Sequence, residues 1–248
     1  MINPPVAVPC CAIAVQKAIN TDMQTNYPAT DINNNLFKPN TLPRPALHTA
    51  LTRKHNVVTT HHDGKVNWKD FAFTGSLKNI KQYAHLSFNN DNKDQELAFT
   101  QIVTAFVLQL HQKSNFVIGV RNKESIHEIN ILKSMLNNPS QFICFLSGQG
   151  GSGKSRVIGA VLHYCKFFCQ ELNLEFSRQT IIVTALTGAA AVNINGQTTS
   201  KACKLNCKNI EKCDKWAHET CMVIVDEVSF CSQEELTSLN ANLSVLCD

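Results

Sequence analysis

One stretch constrains the fold of this 248-residue chain more than any other: Gly148-Gln149-Gly150-Gly151-Ser152-Gly153-Lys154-Ser155. It satisfies the pattern G-x-x-x-x-G-K-[ST] at every fixed position. Glycines let the backbone wrap closely, so that successive N–H groups point at phosphate oxygens. The helix that follows such a loop turns its positive N-terminal end toward the same anion. The pattern therefore predicts a strand, the loop and a helix in that order, with a nucleoside triphosphate as ligand. Lys154 is expected to reach the β- and γ-phosphates, and the Ser155 hydroxyl to help hold Mg2+. Residues Gly148 to Arg156 (Gly148, Gln149, Gly150, Gly151, Ser152, Gly153, Lys154, Ser155 and Arg156) form the expected ATP-binding set. The competing reading is a glycine-rich turn without a ligand.

The surrounding sequence alternates as the loop requires. FICFL (142 to 146) is a short apolar run, read as a buried strand, and a helix is expected from Lys154 to about Leu172. TIIVTA (180 to 185) reads as a second buried strand, with a helix opening near Gly188. MVIVD (222 to 226) reads as a third, followed by a helix capped by Ser232 with Glu235 that carries Leu236, Leu239, Leu243 and Leu246 on one face. Short apolar strands alternating with helices predict an α/β fold whose parallel sheet is covered on both faces. Upstream, Asn92 and Gln95 resemble a helix cap, and Phe99, Ile102, Val103, Phe106 and Leu110 recur at helical spacing. Ser125 with Glu128 predicts the start of a further helix to about Leu136, closed off by Pro139.

Asp226 and Glu227 end the third strand. Acidic groups there are costly to bury without a cation. Asp226 is expected in the Mg2+ shell, and Glu227 as the general base that polarises the attacking water; the plain alternative is two solvated loop acids. The segment from Thr184 through Thr187 and Gly188 puts hydroxyls and small residues where a strand leads into a helix. That suits contact with a phosphodiester backbone and equally suits an ordinary small-residue helix start. The Gln95 amide can donate to and accept from an adenine edge at once, or it is a plain surface glutamine.

The rest of the chain carries less chemistry. Net charge is +4, compatible with a polyanion partner without requiring one. No apolar run is long enough to span a bilayer. The patch from Val6 to Val15 lacks a basic flank and follows prolines, which argues against a signal peptide. Seven of the eight prolines precede residue 46, and Asp31-Ile32-Asn33-Asn34-Asn35 is asparagine-rich, so residues 1–45 read as an extended, largely disordered extension. Residues 46–85 read as a poorly defined linker in which Trp68, Phe71 and Phe73 anchor a small cluster; His61 and His62 read as a solvated turn. Residues 86–248 read as the main domain. There are eleven cysteines, and an ATP-dependent interior favours free thiols over disulfides. Cys203, Cys207, Cys213 and His218 form C-x3-C-x5-C-x4-H. Its spacing departs from the usual zinc pairs, so partly buried thiols are expected, with zinc as the alternative.

In order, KDQELAFTQIV, FLSGQGGSGKSRVI, IIVTALTGAAAVNINGQTTSKA and MVIVDEVSFCSQEEL resemble the Pif-type DNA helicases of superfamily one, in particular those of Helitron transposons and large viruses. The resemblance covers about residues 86 to 248. The phosphate loop is generic; TGAAAVNINGQTT together with DEVS at this spacing is specific. The resemblance implies a RecA-like motor domain that uses ATP and Mg2+ to move 5′ to 3′ on single-stranded DNA, in the nucleus or, alternatively, the mitochondrion. It implies that Gln95 reads adenine, that Gly153, Lys154 and Ser155 hold the phosphates, and that Asp226 and Glu227 serve metal and catalysis. It further implies that Thr184, Thr187, Gly188, Thr198 and Thr199 contact DNA. Lys201 stands where the family usually has a histidine, and Gln95 lies farther from the loop than the family spacing.

The family pattern continues with a G-D-x-x-Q-L-P-P strand and a second RecA-like domain bearing arginines, whereas no arginine follows Arg178 here. The chain is thus expected to be a truncated first motor domain. The family's missing strand lies between the loop strand and the Asp-Glu strand, so two buried strand edges are expected to lack a partner. The alternatives are a nucleotide- or DNA-binding fragment without turnover, and a small-molecule kinase, which would need arginines in a lid after Glu227.

Overall fold

The computed structural model describes residues 11–15, 68, 71–88, 92–118, 123–137, 142–210 and 219–247. They divide into two compact units. One contains the sheet, with residues 1–32, 140–154 and 177–248; the other is helical, with residues 33–139 and 155–176.

The sheet unit has five strands: β1 (Cys11–Val15), β2 (Ile143–Leu146), β3 (Ile181–Ala185), β4 (Gln197–Thr198) and β5 (Met222–Asp226). Their order is β2-β1-β5-β3-β4, and every neighbouring pair is parallel. MVIVD is buried at all five positions, as a central parallel strand built from β-branched residues should be. The register aligns the carboxyl ends: Leu146, Val15, Asp226, Ala185 and Thr198 form one row across the sheet. Open parallel sheets take their ligands at this end.

Two expectations change here. Cys11–Val15 falls within the stretch read as irregular, yet it forms β1, paired on both sides with β2 and β5. It fills the gap expected between the loop strand and the Asp-Glu strand. The physical reason is that two facing strand edges carry unsatisfied N–H and C=O groups, and CAIAV is an apolar run able to enter a buried position. The remainder of residues 1–45 and the His61-His62 pair lie outside the described residues. Conversely, FICFL is not a buried strand. Ile143 and Phe145, on one face of β2, are exposed, and among the described residues β2 lies at the sheet edge, paired with β1.

One core cluster joins Ile182, Val223 and Val225 of the sheet to Ala202 of α6 (Thr199–Ala202), Cys203, and Leu239 of α7 (Gln233–Cys247). A smaller one joins Ala185 to Ala190 and Ala191 of α5 (Gly188–Asn193). The predicted capping box opens α7: the Ser232 amide donates to Glu235 Oε2 at 2.9 Å and the Glu235 amide to Ser232 Oγ at 3.2 Å. Leu239 and Leu246 are buried and Leu243 packs beside them, but Leu236, in the first turn, is exposed.

The helical unit contains α1 (Leu77–Phe88), α2 (Lys93–Ile118), α3 (Lys123–Ser134) and the body of α4 (Lys154–Glu171). Trp68, Phe71 and Phe73 do anchor a cluster, with Tyr83, His163 and Tyr164. Asn79 ties it together: its Nδ2 donates to the Ala72 carbonyl at 2.7 Å, and its Oδ1 accepts from the Tyr164 hydroxyl at 2.7 Å. Asn92 caps α2 as expected, accepting from the Gln95 amide at 3.4 Å. The helix α3 begins earlier than the Ser125–Glu128 pattern predicts, at Lys123, and Glu128 Oε1 accepts from the Leu77 amide at 2.7 Å. There it sets a negative charge at the N-terminus of α1. Among the described residues no helix is long and apolar enough to cross a membrane.

Candidate functional site

The strand β2 ends at Leu146 and α4 begins at Lys154, so Ser147 to Gly153 form the loop between them. Gly151 and Gly153 have φ of 79° and 85°, the left-handed region that L side chains avoid. A Cβ on Gly148 would lie 2.6 Å from Ser152 Oγ. The Ser152 amide closes the turn on the Gln149 carbonyl at 3.2 Å. Residues Ser147 to Ser152 are exposed, as is Ser155 in the first turn of α4.

Lys154 behaves differently. It is buried, and its ammonium lies across the loop, donating to the carbonyls of Gly148 at 2.5 Å and Gln149 at 2.9 Å and to Ser152 Oγ at 3.3 Å. Burial lowers its pKa, and the charge of Asp226 pulls the other way. The loop lysine and the strand-end aspartate thus feel each other electrostatically.

Asp226 is 1% exposed. Its Oδ1 accepts from the Glu227 amide at 3.0 Å. Glu227 is in the left-handed region, with φ 59° and ψ 31°, an uncommon conformation for a residue with a Cβ. That turn aims its carboxylate at the end of β3, where Oε2 accepts from Thr187 Oγ1 at 3.2 Å. Thr187 is also the N-cap of α5 and accepts from the Ala190 amide at 3.2 Å. Sequence reasoning treated Thr187 and Glu227 separately. No local signal joins them, since forty positions separate them.

The other predicted residues divide. Thr184 and Thr199 are fully buried. Thr199 Oγ1 donates to Thr184 Oγ1 at 3.2 Å, and Thr184 Oγ1 donates to the Ile224 carbonyl at 3.0 Å. These hydroxyls bind α6 and β3 to β5. Thr187 and Gly188 are exposed and Thr198 is half-buried. Arg156 belongs to the helical unit, where its guanidinium donates to the Ser87 carbonyl in the last turn of α1 and lies 5.4 Å from the Phe88 ring centroid. It acts as a C-terminal cap and cation–π partner. Gln95 is buried in the first turn of α2, also in the helical unit, rather than lying on the surface.

A hard divalent cation fits the donors at the strand end. Mg2+ takes one or two carboxylates and completes its shell with phosphate and water, and Asp226 offers a buried carboxylate. Burial, and secondarily Cys247, pushes the Cys203 thiol up to about 12. Cys213 and His218 lie outside the described residues. No group of three or more metal-ligating side chains occurs among the described residues. Cys144, Cys165, Cys169, Cys203, Cys207, Cys221, Cys231 and Cys247 are not in disulfides.

Residues 132–245 match the family model described as an AAA domain, a P-loop family of helicase-like type. The match supports a nucleotide-binding P-loop domain, and the parallel sheet with its flanking helices is compatible with that fold. No curated protein and no solved structure matches the chain.

Proposed function

We propose that the chain is a RecA-like motor domain of an ATP-dependent DNA helicase, moving 5′ to 3′ on single-stranded DNA. The observation that carries the proposal is the level row of strand ends. It sets Asp226 two strands from Leu146, the residue before the loop. In this reading the loop amides hold the ATP phosphates, and Lys154 exchanges its loop carbonyls for phosphate oxygens. Ser155 and Asp226 hold Mg2+, which supplies charge neutralisation on the phosphates. Glu227 accepts the proton of the attacking water, and the Thr187 hydroxyl orients it. Gln95 reads the adenine edge. Thr187, Gly188 and Thr198 meet the DNA backbone, while Thr184 and Thr199 hold the strands behind them. The free thiols and the ATP requirement suit an intracellular compartment, the nucleus in this reading.

The test is ATP turnover with and without single-stranded DNA, beside a Lys154→Ala control. The proposal expects DNA-stimulated turnover that the control lacks. Nucleotide-dependent stabilisation without turnover would instead mark a binding module. Absence of both effects would remove the motor reading.

A further inference from the structure

We infer that Cys11–Val15 is a positioning strand for the candidate nucleotide site: a spacer, taken from the start of the chain, that sets the gap between the phosphate loop and Asp226. The register carries the inference. Val15 pairs with Leu146 on one side and with Asp226 on the other. Leu146 ends β2 one residue before the loop begins, and Asp226 carries the buried carboxylate. Neighbouring strands lie about 4.8 Å apart, so β2 and β5 stand roughly 10 Å apart with β1 between them.

Removing that strand leaves two outcomes. The central edges of β2 and β5 stay open, with several buried N–H and C=O groups unsatisfied, or the two strands close on each other. Closure moves the loop toward Asp226 by one strand spacing, about 5 Å. Reacting groups tolerate far less, since a misplacement of about 1 Å can cost a hundredfold. The composition fits the position: CAIAV has no charged or branched polar residue, as a strand flanked on both sides in a parallel sheet requires. β1 is joined to β2 only through a long intervening chain, so it pairs by a non-local contact of the kind that forms late in folding. Occupancy of the slot thus becomes a condition for assembling the site. The spacer role rests on the nucleotide reading above; the strand insertion does not.

Hydrogen exchange on the full chain tests the insertion. The amides of Ala12–Val15 should exchange at least about a hundredfold slower than free-chain rates, alongside those of Val223–Val225. Free-chain exchange in residues 11–15, with Met222–Asp226 still protected, overturns the inference. The spacer role is tested with Ile13→Pro, which removes a ladder donor from a central strand, beside Val6→Pro, which lies before the strand. Ile13→Pro should accelerate exchange in Ile143–Leu146 and weaken binding of a fluorescent ATP analogue with Mg2+ at least tenfold, while Val6→Pro changes neither. Unaltered analogue binding by Ile13→Pro overturns the spacer role. A wild-type chain protected at residues 11–15 that binds no nucleotide overturns the spacer role together with the proposed function. Absent protection with nucleotide binding intact overturns the inference alone. Should Ile13→Pro fail to fold, the wild-type exchange still decides the insertion.

Discussion

Thr187 Oγ1 donates to Glu227 Oε2 at 3.2 Å while accepting from the Ala190 amide at 3.2 Å. One hydroxyl therefore fixes both the start of α5 and the carboxylate after β5. Thr187→Val keeps the shape and removes both bonds. It should lower stability by about 1 kcal/mol, the usual cost of a lost N-cap, whereas Thr187→Ser should retain most of it. Urea unfolding followed by circular dichroism checks the pair. On the proposed reading, Thr187→Val also lowers turnover and Thr187→Ser restores it.

The left-handed backbone at Glu227 makes a separate prediction. A residue with a Cβ at φ 59° carries a penalty of roughly 1 kcal/mol that glycine avoids. Glu227→Gly should therefore unfold at higher urea than Glu227→Ala, and it should have no ATP turnover. A glycine variant less stable than the alanine variant would mean that glycine's greater loss of chain entropy outweighs the relief of the left-handed backbone.

Two glycines should respond in opposite directions to alanine. A Cβ on Gly196 would lie 2.4 Å from the Val183 carbonyl oxygen, a backbone atom that cannot rotate away. Gly196→Ala should cost about 1 to 3 kcal/mol, as overpacking does. A Cβ on Gly159, within α4, meets nothing within 4 Å. Gly159→Ala should add up to about 1 kcal/mol through helix propensity. Denaturation midpoints of the two variants against wild type test both signs.

His163 gives the helical unit a pH dependence. Its Nδ1 lies 2.8 Å from the Tyr83 hydroxyl within the aromatic cluster. Burial first, and Lys166 second, lower its pKa from 6.5 to about 4. The unfolded chain then binds a proton near pH 6.5 that the folded chain refuses until about pH 4. Stability attributable to this group is complete above pH 6.5, falls as pH drops toward 4, and changes no further below. The fall is on the order of 3 kcal/mol at 1.36 kcal/mol per unit. Urea unfolding at a series of pH values, followed by Trp68 fluorescence, should show the slope in wild type and a shallower one in His163→Gln.

Much of the sheet was legible because its signals are local. Loop glycines, the strand MVIVD and the Ser232–Glu235 cap depend on neighbours within a few positions, and the structure places each where the sequence pointed. The failures are all non-local. Strand β1 is a five-residue apolar run among prolines, and only the edges of β2 and β5, distant in sequence, give it a place. Ile143 and Phe145 read as buried because periodicity cannot say which strand is outermost. The bond between Thr184 and Thr199 and the contact of Arg156 with Ser87 were not legible, because each joins residues well apart in sequence. Glu128 caps a helix other than its own for the same reason.

The most direct measurement is titration of the full chain with ATP and Mg2+, followed by thermal unfolding, for wild type and Lys154→Ala. A triphosphate held by the loop and faced by Asp226 should stabilise the wild type by about 2.7 kcal/mol at a hundredfold excess over the dissociation constant, and should leave Lys154→Ala nearly unmoved. A wild type that saturating ATP does not stabilise, or a Lys154→Ala variant stabilised as much, would contradict the account.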